Sequence, residues 1–282
     1  MRLFGRTGQE RIGAAKVVIV GGGGLGGHVV QQVSLLGVRR LAVVEPQEAK
    51  PSGRNRYIGL RHDDPMPGTL KVDVAERVAR GIDPAIVVEK VDDTLVSERG
   101  FAAVKSADYV FGSVDKEGVR LILTELCAAY GKPYFDLASD VMPGERPQYG
   151  GRVCVAWDGN GCLACLGALD LREAQAQLAG PEAWKDQDRI YGVERRFLGQ
   201  TGPSVVSING VIASMAMTEF MAAVTGMRPP FRLQNYYGHL GRMTISQDEP
   251  APDCYYCKKI RGLGKAAEVE RYITAGVGAW LR

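Results

Sequence analysis

The stretch KVVIVGGGGLGGHVVQQVSLLG, residues 16–37, decides the fold. KVVIV (16–20) is short, apolar and β-branched, the pattern of a strand buried on both faces of a parallel sheet. A glycine cluster follows at once, then helical spacing from about Leu25 to Leu36. Gly21, Gly23 and Gly26 make G-x-G-x-x-G between strand and helix, with Gly24 inside the same turn. Residues without Cβ let the backbone turn sharply and approach a phosphate, whose charge the amides and the helix start favour. The motif in this setting predicts a nucleotide cradle; alone it does not separate NAD from ATP.

Outward from this turn the pattern repeats. LAVVE (41–45), AIVVEKV (85–91), ADYVFGSV (107–114), PYFDLAS (133–139) and GRVCVAW (151–157) read as further strands. Helical spacing runs over Lys71–Arg80 and near 117–130. Alternating strands and helices predict an α/β fold, a doubly wound Rossmann-like and mostly parallel sheet, with ligands at the carboxyl ends of the strands. Residues 166–200 are polar and read as a mobile crossover loop. Residues 203–225 read as a largely buried helix that stops at Gly226, 231–246 as short strands, and 264–282 as a helical tail. The expected organisation is one unit over 1–282: a nucleotide-binding half (1–160) and a crossover and C-terminal half (161–282).

Composition excludes several classes. The 282 residues are 45% hydrophobic and 24% charged, as in ordinary soluble globules, and a net charge of +3 does not suggest a nucleic-acid protein. No long uninterrupted apolar run points to a membrane span, and MRLFGRTGQERIG lacks the apolar core of a signal peptide, so a cytoplasmic protein is expected.

Charged residues gather where the fold prediction puts the carboxyl edge. Glu45 ends the second strand, where an acid can bind ribose hydroxyls. Arg54, Asn55 and Arg56 lie in the loop PQEAKPSGRNR (46–56), Lys71 opens the next helix, and Asp115 ends the fourth strand. A hydride-transfer enzyme has little use for two cations and a second acid here. A triphosphate does: cations offset its charge and a carboxylate can hold Mg²⁺. Each residue taken alone also suits a solvated surface.

Two Cys-x-x-Cys pairs, Cys162/Cys165 and Cys254/Cys257, supply the four soft ligands of a tetrahedral structural Zn²⁺. Free thiols or a redox pair are the alternatives. Cys127 falls in a helix and Cys154 in a strand, both as core fillers. His28, His62 and His239 are scattered and carry no catalytic reading.

As a set these stretches resemble the ThiF/MoeB/HesA group of ubiquitin-activating-enzyme-like adenylyltransferases. The likeness runs through residues 8–45, SGRNR (52–56), GTLKVDVAERVARGIDP (68–84), VDKEGVRLILTELCAAYGKPYFD (114–136), the cysteine pairs and PSVVSINGVIAS (203–214). The resemblance implies binding of ATP and Mg²⁺ and adenylation of a C-terminal carboxylate, most often that of a ubiquitin-like protein. It implies that Glu45 binds ribose, that Arg56 and Lys71 contact phosphate, and that Asp115 positions Mg²⁺. A homodimer and a downstream conjugating or sulfur-transfer protein are implied in the same way.

The chain also departs from that pattern. Glu45 replaces Asp, Pro46-Gln47 replaces an acidic position, Gly53 replaces Asn and Tyr57 replaces Gln. The crossover stretch 166–203 contains no cysteine, so no thioester is expected on it. Three rival readings follow: an enzyme that activates the carboxylate of threonylcarbamoyl-adenosine in tRNA, a non-catalytic partner half of an activating complex, and an NAD(P) oxidoreductase.

Overall fold

In the computed structural model, which describes residues 3–142, 144–180 and 204–281, β-branched runs supply the centre of one eight-stranded sheet. Strands β1 (Lys16–Val20), β2 (Arg40–Val44), β3 (Val87–Val91), β4 (Tyr109–Gly112) and β5 (Tyr134–Met142) are parallel. Strands β6 (Gln148–Ala156), β7 (Leu233–Tyr237) and β8 (Arg242–Ile245) extend the sheet antiparallel. The order is β3-β2-β1-β4-β5-β6-β7-β8. The chain therefore reverses between β1 and β4, the switch point where α/β sheets open a crevice. The predicted α/β fold and its mostly parallel sheet are present. GRVCVAW, however, lies in an antiparallel strand: only residues 143–147 separate β5 from β6, too few for a parallel crossover.

Helices cover both faces. Alternating side chains of β1 divide the core: Val17 and Ile19 join Val29, Val33, Val72 and Phe220, while Val18 and Val20 join Phe101, Ile122 and Leu126. The first cluster belongs to α1 (Gly5–Ala14), α2 (Gly24–Leu36), α3 (Lys71–Ile82) and the later long helix; the second belongs to α4 (Glu98–Ser106) and α5 (Glu117–Ala129). Phe111 and Phe135 stack at 4.9 Å on the first face, with Phe220 edge-on to both. Such aromatic pairs add about 0.5–1.5 kcal/mol beyond burial.

Sequence periodicity missed α1 and α4, both short and largely polar. Ser97 caps α4 by accepting from the Gly100 amide at 3.0 Å. Residues 171–180 form a helix, α6, within the stretch 166–200 read as loop; residues 181–200 of that stretch lie outside the described residues. The tail is not one helix. It breaks into turns of 3₁₀ helix at Gly264–Ala267 and Val277–Ala279 around α8 (Arg271–Thr274), with Gly264 and Gly276 at φ +57° and +67°. Left-handed glycines at these points interrupt any helical run.

The predicted buried helix is α7 (Val206–Thr225), closed by Gly226 at φ +73°. Its length and composition would suffice to cross a membrane, yet it packs on α1, α2, β5 and β6. Its buried acid, Glu219, is 2% exposed. The carboxylate accepts from Arg228 at 2.6 and 2.8 Å, from Gln234 Nε2 at 2.6 Å and from the Phe231 amide at 2.8 Å. It thus ties the helix to β7. Replacing Glu219 by Ala strands Arg228, the buried Gln234 amide and the part-buried Phe231 N–H. We expect Glu219→Ala to lower unfolding free energy by about 3–5 kcal/mol in urea titration; a loss below about 1 kcal/mol contradicts this role.

Candidate active site

The turn between β1 and α2 is built around two close approaches. Gly21 has φ +96°, and a Cβ there would lie 2.6 Å from the Ser113 carbonyl oxygen. A Cβ on Gly26 would lie 1.9 Å from the Gly21 carbonyl oxygen. No side chain fits either place, so the glycines are fixed by packing. Ser113 Oγ donates to the Gly21 carbonyl at 2.6 Å and fastens the loop after β4 to the glycine turn. Helix α2 has Gly23 at its N-cap, with no side-chain cap and no acid in its first turn. Its leading amides remain turned to an incoming anion.

Glu45 stands beneath this turn, 7% exposed. Its carboxylate accepts from the Gly22 amide at 2.9 Å and the Gln47 amide at 3.0 Å. Lys71, 8% exposed, brings Nζ to 3.6 Å from Glu45 Oε1 and donates to Gln47 Oε1 at 2.7 Å. Gln47 therefore receives the lysine. Arg56 is half-buried; its Nη1 donates to the Ser52 carbonyl at 2.7 Å and to Asn55 Oδ1 at 3.2 Å. Its Cγ lies 3.2 Å from where a Cβ on Gly24 would be. Asn55 is exposed and serves Arg56. Asp115 is exposed, in the loop that Ser113 fastens to Gly21. The structure thus gathers Gly21, Gly23, Gly24, Gly26, Glu45, Arg56 and Lys71 around one turn and sets Asp115 on the adjoining loop.

The loop carrying Arg54–Tyr57 is held from behind. Arg77 on α3 grips Asp64 through both nitrogens at 2.8 and 2.6 Å and the Gly59 carbonyl at 2.8 Å. The guanidinium holds the Asp64 carboxyl below the usual carboxylate range. Exposed Arg54 meets His62 at 3.2 Å.

Sequence reasoning passed over two groups. Asn209, fully buried at the start of α7, donates to Ser204 Oγ at 2.9 Å and accepts from Ser139 at 2.7 Å. Its Nδ2 lies 3.0 Å from a Cβ built on Gly24, so α7 supports the glycine turn. Asp136, 0% exposed near the carboxyl end of β4, accepts from Arg152 at 2.5 Å and Tyr134 at 2.9 Å, with Arg120 Nε at 3.5 Å. Arg120 continues to Glu117, which accepts from the Asp170 amide at 3.0 Å. This chain of charge joins the helix beside Asp115 to the entry of the crossover. A lone Asp in the apolar run PYFDLAS was the available signal.

Away from this crevice the four cysteines converge. Their Sγ atoms all lie within 4.8 Å of one another, with Cys162–Cys165, Cys162–Cys254 and Cys165–Cys257 at 3.8, 3.6 and 3.9 Å. Four thiolates about 2.3 Å from a tetrahedral Zn²⁺ stand about 3.8 Å apart, so the donor set fits that ion. The hydrogen bond with Cys257, and then burial, push the Cys162 thiol up, while hydrogen bonds led by Cys162 draw Cys257 down to about 6. Three of the four cysteines are buried, and four thiolates this close together would need a cation to offset their charge. Cys127 and Cys154 are buried elsewhere, and desolvation raises both thiols far out of the reactive range. We expect about one zinc per chain by elemental analysis. Stripping it with a strong chelator should lower the melting temperature, and Cys257→Ser should lose the metal; full-length protein purified without zinc yet equally stable contradicts the site.

Comparison with known proteins agrees with this architecture. The ThiF family model matches residues 1–256. Protein HesA, vegetative, of Trichormus variabilis is 26% identical over 264 residues, covering 89% of this chain and 84% of its own. The sulfur carrier protein adenylyltransferase of Thermus thermophilus is 31% identical over 151 residues, 54% of this chain and 52% of its own. Among solved structures, E. coli MccB with ATP superposes with a TM-score of 0.67 at 17% identity over 89% of this chain and 68% of that one. This likeness shows the fold. The chain belongs to the ThiF family.

Proposed function

We propose that this protein adenylates a C-terminal carboxylate with ATP, and that the carboxylate belongs to a small carrier protein of the ubiquitin-like or sulfur-carrier kind. One observation carries the reading: an uncapped helix start over a glycine turn, with the Glu45–Lys71 pair at 3.6 Å beneath it and Arg56 beside it. An anion-binding turn flanked by two cations and a ribose-binding acid suits a nucleoside triphosphate better than a dinucleotide. Membership of the ThiF family supports it, as do relatives named sulfur carrier protein adenylyltransferase and SAMP-activating enzyme E1.

In this chemistry a carboxylate oxygen attacks the α-phosphorus. The bond from that phosphorus to the bridging oxygen breaks, and pyrophosphate leaves with the electron pair. No protein nucleophile is required; positioning and charge stabilisation lower the barrier. Glu45 holds the ribose. Arg56 and Lys71, assisted by the glycine-turn amides, offset charge on the phosphates. Asp115 is the carboxylate for Mg²⁺, an ion that would neutralise the departing pyrophosphate. The four-cysteine cluster, as a zinc site, ties the crossover entry to the tail. With no cysteine in 166–203, the activated acyl group passes directly to a downstream conjugating or sulfur-transfer protein. The enzyme works as a homodimer in the cytoplasm.

A second reading rests on the fold neighbours, since E. coli MccB structures are described with MccA, a partner other than a named carrier protein. A short peptide's C-terminus is then the substrate in place of a carrier protein's. Activation of a tRNA-borne acid demands a basic face, which a net charge of +3 does not favour. A non-catalytic partner half would give no exchange with any acid.

ATP–pyrophosphate exchange separates these readings. Exchange should rise with a ubiquitin-like carrier ending in a free carboxylate and not with the same carrier amidated at its C-terminus. Asp115→Ala should reduce it by at least about 10²-fold, the scale of losing one key charge-stabilising group. Exchange stimulated only by tRNA, or none with any acid by folded protein, contradicts the proposal.

A further inference from the structure

Two of this chain's departures from its family, Gly53 for Asn and Tyr57 for Gln, meet in space. A Cβ on Gly53 would lie 2.3 Å from both Cδ2 and Cε2 of the Tyr57 ring. That contact is far inside van der Waals range, so the ring occupies its place only because residue 53 has no side chain. Gly53 itself is buried at the end of a short 3₁₀ turn, Pro51–Gly53, and its carbonyl accepts from the Tyr57 amide at 3.0 Å. The pairing is local and rigid.

The gap directs the ring onto the glycine turn. Tyr57 OH is the nearest atom to a Cβ built on Gly23, at 3.6 Å. Lys71 Nζ stands 5.3 Å from the ring centroid and the Arg56 guanidinium carbon 6.0 Å. Both cations assigned to phosphate therefore flank one aromatic ring. The ring is half-buried, and its hydroxyl donates no hydrogen bond to a described residue. Along the glycine turn, Cβ atoms built on Gly22, Gly23 and Gly24 would lie 3.7 Å from Lys71 Cβ, 3.6 Å from the Tyr57 hydroxyl and 3.2 Å from Arg56 Cγ. A phenol there has a donor for an anionic oxygen and a face that favours cations.

We propose that Tyr57, admitted by Gly53, is a phosphate-contacting residue of the nucleotide site: its ring holds Lys71 and Arg56 in place and its hydroxyl donates to the triphosphate. Gly53 and Tyr57 are then one compensated change, not two separate losses. The inference rests on the ATP reading above.

Calorimetric titration with MgATP tests it, on full-length wild type, Tyr57→Phe, Tyr57→Ala, Gly53→Ala and Gly53→Ala/Tyr57→Ala. Wild type should bind MgATP. Tyr57→Phe should weaken binding about 5- to 10-fold, the worth of one hydrogen bond to a charged group, with an unchanged melting temperature. Gly53→Ala should weaken binding by pushing the ring aside. The double variant should bind as Tyr57→Ala does, because no ring is left to clash. Tyr57→Phe binding as wild type, or additive losses in the double variant, overturns the proposal while leaving the ATP reading intact. Wild type that binds no MgATP overturns both. A crystal soaked with MgATP in which the phenol points away from every phosphate also overturns the proposal.

Discussion

The crossing of β1 and α2 depends on atoms that are missing. The Gly21 carbonyl sits where a Cβ on residue 26 would have to be, 1.9 Å away, and Ser113 closes the turn from the other side. Any substituent at residue 26 forces strand and helix apart. That one constraint sets the angle of α2, aims its amides at the crevice and brings the Asp115 loop against the glycine turn. The remaining site residues are placed relative to it: Glu45 by its bond to the Gly22 amide, Lys71 by Glu45 and Gln47, Arg56 by contact with Gly24.

Buried charge here is arranged in chains. An isolated carboxylate in the interior is costly, and only pairing and hydrogen bonds make it tolerable. Glu45 satisfies this with two amides and a lysine. Asp136 does so with Arg152, Arg120 and Tyr134. Glu219 does so with Arg228, Gln234 and an amide. The first set lies under the glycine turn. The second runs from β6 through α5 to the crossover entry at Asp170. The third locks α7, the helix whose Asn209 backs the glycine turn. Polar groups in this core thus sit where elements must be held in one relative position, the role hydrophobic contact alone specifies poorly.

What could be read in advance follows the same logic. β1, β2, α2 and α3 were legible because strand period, helix period and glycine position are local signals. The cysteine pairs were legible because metal chemistry fixes ligand number and type. The antiparallel turn of the sheet after Met142 was not, since a buried strand such as GRVCVAW reads alike in either direction. Helix α1 was hidden by its polar residues, and the tail by glycines whose left-handed conformations appear only in three dimensions. Asn209 and Asp136 were hidden for a different reason: a single polar residue in an apolar run gains its meaning from partners some 16 to 70 residues away.

The departures from the family pattern lead to the same conclusion when taken as contacts. In a list of residues, Gln47, Gly53 and Tyr57 look like three independent losses, the signature of a site drifting out of use. In space none stands alone. Gln47 receives Lys71 and orders Glu45 through its own amide. Gly53 makes room for Tyr57, whose ring centroid has two cations at 5.3 and 6.0 Å. A site released from selection should accumulate cavities and unpaired charge, because nothing would match one substitution to the next. Here Tyr57 fills the space that Gly53 leaves, and Gln47 meets Lys71. Such matched contacts fit the anion site proposed above better than a decayed one.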